Sequence, residues 1–218
     1  MTEIPDGAIL QRDKKTVAIV PRIPVGLLTP ETLEGLAKVI REYKIPITKI
    51  TSGQRLALVG IKPEDVEAIW ASLGTGVGRA TELCLHYVQA CPGNAVCKFG
   101  TQDSLGLGRD LEKMLISVET PAKMKIGVSG CSMCCAESYL RDIGLIGKKN
   151  GWLVTFGGNG GAHPRVADEI AADLSLAQAV DLVKKLVNCY RKHGKKRERT
   201  ARFVERVGID DIRQEVLA

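Results

Sequence analysis

Four of the seven cysteines fall into two pairs, Cys91-x5-Cys97 and Cys131-x3-Cys135, and six of the seven lie between residues 84 and 135. A fold for this chain has to accommodate that crowding of thiols. An odd count does not suit a disulfide framework, so metal or redox chemistry is the expectation. Pro92 and Gly93 flank the first pair, and Ser129 and Gly130 the second, all small or backbone-permissive. Soft thiolates in this number suit zinc or an iron–sulfur cluster. Structural zinc favours tighter C-x2-C knuckles, whereas the separate irons of a cubane accept wider spacings. Cys134 beside Cys135 keeps the register open, because Cys131-x2-Cys134 also reads as a zinc half-site. Cys84 and Cys189 read as buried, unligated residues.

The rest of the composition is that of a globular chain. With 218 residues, 44% hydrophobic and 26% charged, there is enough for one domain or two small ones. A disordered chain is excluded, since it would lack the apolar residues to offset chain entropy. No apolar run approaches the roughly 20 residues that span a bilayer. The N-terminus has no basic stretch followed by an apolar one, so the cytoplasm is the expected compartment and no membrane partner is expected. The net charge of +6 sits in residues 191–206, which hold eight Lys/Arg and two Glu. That stretch reads as a solvated helical face, or as a patch for an acidic protein, an acidic cofactor or nucleic acid. Phe203 is its lone aromatic residue, so a base-stacking surface is not supported and no nucleic-acid partner is expected.

Along the chain, residues 16–20 read as a strand and Thr29 as the cap of a helix beginning at Pro30. Residues 49–61 read as one strand, with Gly53, Arg55 and Ala57 on one face. A second helix opens at Pro63 and ends at Gly74. Residues 74–78 (GTGVG) read as a hinge. A helix before Cys91, a helix over 105–115 and a strand over 123–128 are predicted. The cysteines then lead into a helix, followed by a strand over 152–156, the loop GGNGG at 157–161 and a helix start at Pro164. Ser175 and Gln178 form a capping box for a helix running to Gly194, and two short helices finish the chain.

Three stretches, CPGNAVC, PAKMKIGVSGCSMCC and GWLVTFGGNGGAHPR, together resemble the siroheme nitrite and sulfite reductases. Residues 47–74 resemble their ferredoxin-like half-domain, and ERTARFVERVGIDDIR resembles the tail of assimilatory nitrite reductases. The resemblance implies an α+β fold: a ferredoxin-like half-domain (1–75), a siroheme and [4Fe–4S] α+β domain (76–190) and a basic helical C-terminal tail (191–218). It implies siroheme and a [4Fe–4S] cluster as cofactors. Cys91, Cys97, Cys131 and Cys135 become the cluster ligands, with Cys135 bridging to the siroheme iron. The implied activity is reduction of sulfite to sulfide, with nitrite reduction to ammonia as the close alternative. A non-enzymatic iron–sulfur carrier is the contrasting class.

The same resemblance assigns the substrate and cofactor groups. Lys123 and Lys125 stand as the Lys-x-Lys pair that neutralises the oxyanion, alternate residues of a strand sharing one face. Arg55 and His86 take positions where the family carries arginines, and these are two departures. Gly53 replaces the arginine before the glutamine, with Arg55 two residues later, and His86 replaces the arginine ahead of the first cluster cysteine. The eight carboxylates of siroheme need cations and backbone donors. Arg55, Lys98, Arg79, Arg165 and the loop residues Gly158, Asn159 and Gly160 are the candidates. Without a flavin or nicotinamide signature, electrons are expected from a ferredoxin-like or other one-electron donor protein docking on residues 191–206. Larger relatives hold two copies of this unit and the chain has one. It therefore reads as either a minimal monomer or a two-fold homodimer.

Overall fold

The computed structural model describes residues 4–78 and 83–218 and divides the chain into two units, Met1–Glu82 and Leu83–Ala218. Arg79 lies outside the described residues. In the first unit, β1 (Ala8–Leu10), β2 (Val17–Ile19), β3 (Ile47–Ile50) and β4 (Leu56–Ile61) form an antiparallel sheet in the order β1-β2-β4-β3. The helix α1 (Pro30–Glu42) connects β2 to β3, and α2 (Val66–Leu73) follows β4. Thr29 caps α1 by accepting the Thr32 N–H, and Gly74 ends α2 with a left-handed φ of 62°. Leu36 and Val39 of α1 and Ile69 and Trp70 of α2 close over Val17, Ile19 and Leu58 of the sheet.

The single strand expected over 49–61 is a hairpin instead. The Thr51 N–H donates to the Arg55 carbonyl at 2.7 Å, and Gln54 adopts φ 58°, so the chain reverses through Ser52 and Gly53. Thr-Ser-Gly is turn chemistry that outweighs the β character on either side. Gly53 therefore lies in the turn, and the same-face relation between it and Arg55 does not hold.

The second unit is a five-stranded mixed sheet in the order β5-β6-β7-β8-β9. β5 (Leu85–Ala90), β6 (Met124–Ser129) and β7 (Ile143–Lys148) run parallel; β8 (Gly151–Phe156) and β9 (Asp168–Leu174) pair antiparallel to their neighbours. The crossover helix α3 (Ser104–Leu115) packs on β5 and β6. The helix α4 (Leu176–His193) packs on β8 and β9, and α5 (Thr200–Val207) and α6 (Ile209–Leu217) complete the chain. Both hydrogen bonds of the Ser175–Gln178 capping box are made. Phe156, Tyr190 and Phe203 stack edge-on or tilted with centroids 5.4–6.5 Å apart, tying α4 and α5 to β8. Phe203 is thus a core residue of the basic stretch. Among the described residues no helix is long and apolar enough to cross a membrane.

Three local expectations differ. The segment before Cys91 is β5, not a helix, because an apolar run this short carries no decisive period. After the cysteines there is one 3-10 turn (Ser138–Leu140) and then β7, whose first five residues are all buried. The GGNGG loop runs to β9, with Asn159 and Arg165 paired as an isolated bridge, so no helix begins at Pro164.

Candidate functional site

The two cysteine pairs leave the carboxyl ends of neighbouring parallel strands, where open parallel sheets place their ligands. Cys91 follows β5 directly, and Cys131 lies two residues beyond β6. The loops are interlocked. The Cys91 N–H donates to the Val128 carbonyl at 3.1 Å, and the Gly130 N–H donates to Cys91 Sγ at 3.1 Å. The Thr101 and Gln102 amides and the Thr101 hydroxyl all donate to the Gly130 carbonyl. A Cβ on Gly130 would stand 2.6 Å from Gly93 Cα, and one on Gly93, at φ +58°, would stand 2.3 Å from Ser104 Oγ. The glycines beside each pair are there because the backbones touch.

All seven cysteines are free thiols, with Cys91, Cys97, Cys131 and Cys134 half-buried and Cys135 exposed. Among the described residues, no three of the loop sulfurs lie within 4.8 Å of one another. One zinc ion would draw its sulfurs to about 3.8 Å, from Zn–S bonds near 2.3 Å. Two thiol-bearing loops joined in this way, with an amide already aimed at a sulfur, fit a four-iron cluster better than a zinc knuckle. Cys84 is buried beside β5 and donates to the Leu85 carbonyl, while Cys189 lies on α4.

A second group of charges forms around the start of β6. Asp142 is 1% exposed and accepts the Lys125 backbone N–H (2.8 Å), two contacts from Arg199 Nη2 (3.0 and 2.8 Å) and the Thr200 hydroxyl. Lys125 Nζ lies 5.9 Å from the centre of the Tyr87 ring. Burial holds the Lys125 amine below the usual lysine value, and the charges of Arg199, Arg141 and Lys123 press the same way, against Asp142. Arg141 is 7% exposed and donates to Gln89 and Glu137; its Nε is buried with no hydrogen-bond partner. Nothing in the sequence singles out Arg141, and Arg199 is marked there only as part of the basic stretch 191–206 and of the tail motif.

Along β6, Lys125 and the last strand residue, Ser129, are about 13 Å apart. The fold thus gathers the cysteines at one end of β6 and the Lys123/Lys125 pair at the other. Arg141 stands toward the loop at 157–161: a Cβ on Gly160 would be 3.7 Å from its Nη1. In that loop, Gly157 and Gly158 are buried, and Cβ atoms there would strike Val204 at 2.6 Å and the Tyr139 and Arg141 carbonyls at 2.5 Å. Asn159 donates to the His163 carbonyl, and Arg165 donates to the Gly157 carbonyl and to Asp168. Lys98 is exposed, with its Nζ 4.9 Å from the Phe99 ring centre. His86 is half-buried on β5 beside Tyr87. Arg55 belongs to the first unit, where it lines a hollow of about 200 Å³ with Ile23, Val25 and Leu56.

Residues 83–218 match the family described as the nitrite and sulphite reductase 4Fe-4S domain, and residues 9–75 match the nitrite/sulfite reductase ferredoxin-like half domain. The chain is 57% identical over 217 residues to an assimilatory-type sulfite reductase of Nitratidesulfovibrio vulgaris, covering all of both chains. It is 38% identical to a nitrite reductase [NAD(P)H] of Bacillus subtilis and 37% identical to the nitrite reductase (NADH) large subunit of Escherichia coli. Those matches cover 94% and 96% of this chain but only 25% of each relative. Among solved structures, dissimilatory sulfite reductase I superposes with a TM-score of 0.84 at 14% identity, over 93% of this chain and 69% of that one. The Mycobacterium tuberculosis NirA protein gives 0.83 at 20%, over 97% and 42%. At such identities the likeness is one of fold.

Proposed function

The chain belongs to the nitrite and sulfite reductase family, and on that premise we propose that it reduces sulfite to sulfide, using siroheme coupled to a [4Fe–4S] cluster. The observation that carries this reading is the joining of the Cys91/Cys97 and Cys131/Cys135 loops at one end of β6, with Lys123 and Lys125 at the other. Siroheme and cluster, when bound, supply an iron that takes up electrons singly and holds the oxyanion.

The chain's own residues do the rest. Cys91, Cys97, Cys131 and Cys135 would hold the cluster, and exposed Cys135 would also offer its thiolate to siroheme. Lys98, Arg165, buried Arg141 and the backbone of 158–160 would answer the siroheme carboxylates. Lys123 and Lys125 neutralise the substrate oxyanion. The lowered proton affinity of Lys125 makes its Nζ a readier donor to departing oxygen. Asp142 fixes the backbone beneath Lys125. His86, half-buried on β5 beside Tyr87, is a further candidate proton donor.

The test is a pair of variants, Lys123→Ala and Lys125→Ala, prepared with unchanged siroheme absorption. Sulfite turnover falls by about a hundredfold in each, within the range for lost acid–base catalysis. Full activity in both would remove the lysines from the mechanism, and a colourless zinc-containing protein would remove the reductase reading. Nitrite is the second reading, because the Bacillus and Escherichia relatives carry that name. Competition kinetics with both anions decides between them. Electrons come from an acidic one-electron donor, ferredoxin-like in kind, docking on the exposed cations Arg191, Lys195, Lys196, Arg197 and Arg202. Sedimentation of the cofactor-loaded protein separates a monomer from a two-fold pair.

A further inference from the structure

Cys189 and His193 stand one helical turn apart near the end of α4, so both side chains project from one face. Glu215 reaches them from α6, which packs against α4. Glu215 Oε2 lies 2.9 Å from His193 Nε2 and 3.7 Å from Cys189 Sγ, and one ligand atom from each residue falls within 4.8 Å of the others. We propose that Cys189, His193 and Glu215 form a binding site for a borderline divalent cation of the zinc class, distinct from the cysteine loops.

The spacing carries the choice of ion. A tetrahedral zinc with Zn–S near 2.3 Å and Zn–N and Zn–O near 2.1 Å sets its S···O edge at about 3.6 Å and its N···O edge at about 3.4 Å. The observed 3.7 and 2.9 Å lie within about 0.5 Å of those edges, so small rotamer changes suffice. One sulfur, one nitrogen and one oxygen donor suit a borderline ion and not magnesium or calcium, which want oxygen alone. Three protein ligands leave a fourth position for water. Cys189 is buried, while His193 and Glu215 are exposed and leave a path from solvent. Lys192 Nζ sits 3.4 Å from Glu215 Oε1, steadying the carboxylate while Oε2 remains for the ion.

The site bridges the two helices that bracket α5. A bound ion pins the tail whose Arg199 and Thr200 hold Asp142, so occupancy stabilises the second unit. The proposal does not rest on the reductase reading, because its ligands and its readout are separate.

The experiment titrates Zn²⁺ into the cofactor-loaded protein by calorimetry, with X-ray absorption at the zinc edge. One saturable site is expected, with one sulfur near 2.3 Å and nitrogen or oxygen neighbours near 2.1 Å. His193→Gln and Glu215→Gln, both at the surface, weaken binding by about tenfold or more. Cys189→Ser removes the sulfur neighbour. Because Cys189 is buried, the two surface variants carry the test even where Cys189→Ser is unstable. Unchanged affinity in both surface variants, absence of saturable binding, or a shell of several sulfurs locating zinc in the cysteine loops would each overturn the proposal.

Discussion

Asp142→Asn isolates the polar knot beneath the lysine pair. The aspartate accepts from the Lys125 N–H, from Arg199 Nη2 through both oxygens and from the Thr200 hydroxyl while 1% exposed. Asparagine keeps the shape but removes the charge, and it turns one oxygen into a donor. In either flip that new N–H₂ meets a donor, because Arg199 faces both oxygens. Removing one partner of a buried ion pair costs about 3–5 kcal/mol. Arg199 is 31% exposed and recovers some hydration, so the low end applies, about 3 kcal/mol. At roughly 3 °C per kcal/mol for a chain of this length, the melting temperature falls by about 9 °C.

A second consequence is electrostatic. Among the described residues, the charge of Asp142 raises the Lys125 proton affinity, against burial and three cations. With asparagine in place, Lys125 loses its proton at still lower pH. The alkaline edge of sulfite affinity therefore moves down in pH. Thermal unfolding by circular dichroism at matched cofactor content gives the first number, and sulfite KM against pH gives the second. A melting temperature within about 3 °C of the parent would refute the assignment of the Arg199–Asp142 pair as a structural knot. An unmoved alkaline edge would refute the coupling of Asp142 to Lys125.

Gly130→Ala forces a Cβ to within 2.6 Å of Gly93 Cα, so the cysteine loops separate and cluster iron per chain falls well below the parent, as measured by iron and sulfide analysis. Replacing Lys195, Lys196 and Arg197 together with Glu slows reduction by an acidic donor, steeply at low salt and little at high salt, in stopped-flow kinetics. Glu198 is held down to about 2, chiefly by its hydrogen bond from Arg206. A depressed carboxyl stabilises the fold above its unfolded value and loses that contribution as pH falls toward 2. Glu198→Gln therefore flattens the loss of stability between about pH 4.5 and pH 2 in acid titrations.

What the sequence made legible was local. Thr29, Gly74 and the Ser175–Gln178 box are caps, and caps are decided within four residues. The cysteine pairs were equally readable, since their glycines announce close backbone approach. Strand and helix were confused where the apolar run was short: β5 has six residues, and its state is set by pairing with β6 and covering by α3. Arg141, Asp142 and Arg199 were missed for a related reason. Asp142 meets Lys125 across 17 positions and Arg199 across 57. No pattern local to either segment records that meeting.

The parallel pairing of β5 and β6 explains why the cysteine loops and the Lys123/Lys125 pair mark opposite ends of one short strand. Parallel strands deliver both cysteine loops to the same end of the sheet, because each loop follows a carboxyl terminus. Lys123 and Lys125 then lie at the other end, Lys123 just before β6 and Lys125 as its second residue. Arg141, at the start of the turn into β7, hydrogen-bonds Glu137 from the cysteine side and lies beside Lys125 electrostatically. A macrocycle with charged edges is the kind of group that bridges such a gap. The buried, partnerless Nε of Arg141 fits the cofactor cradle proposed above.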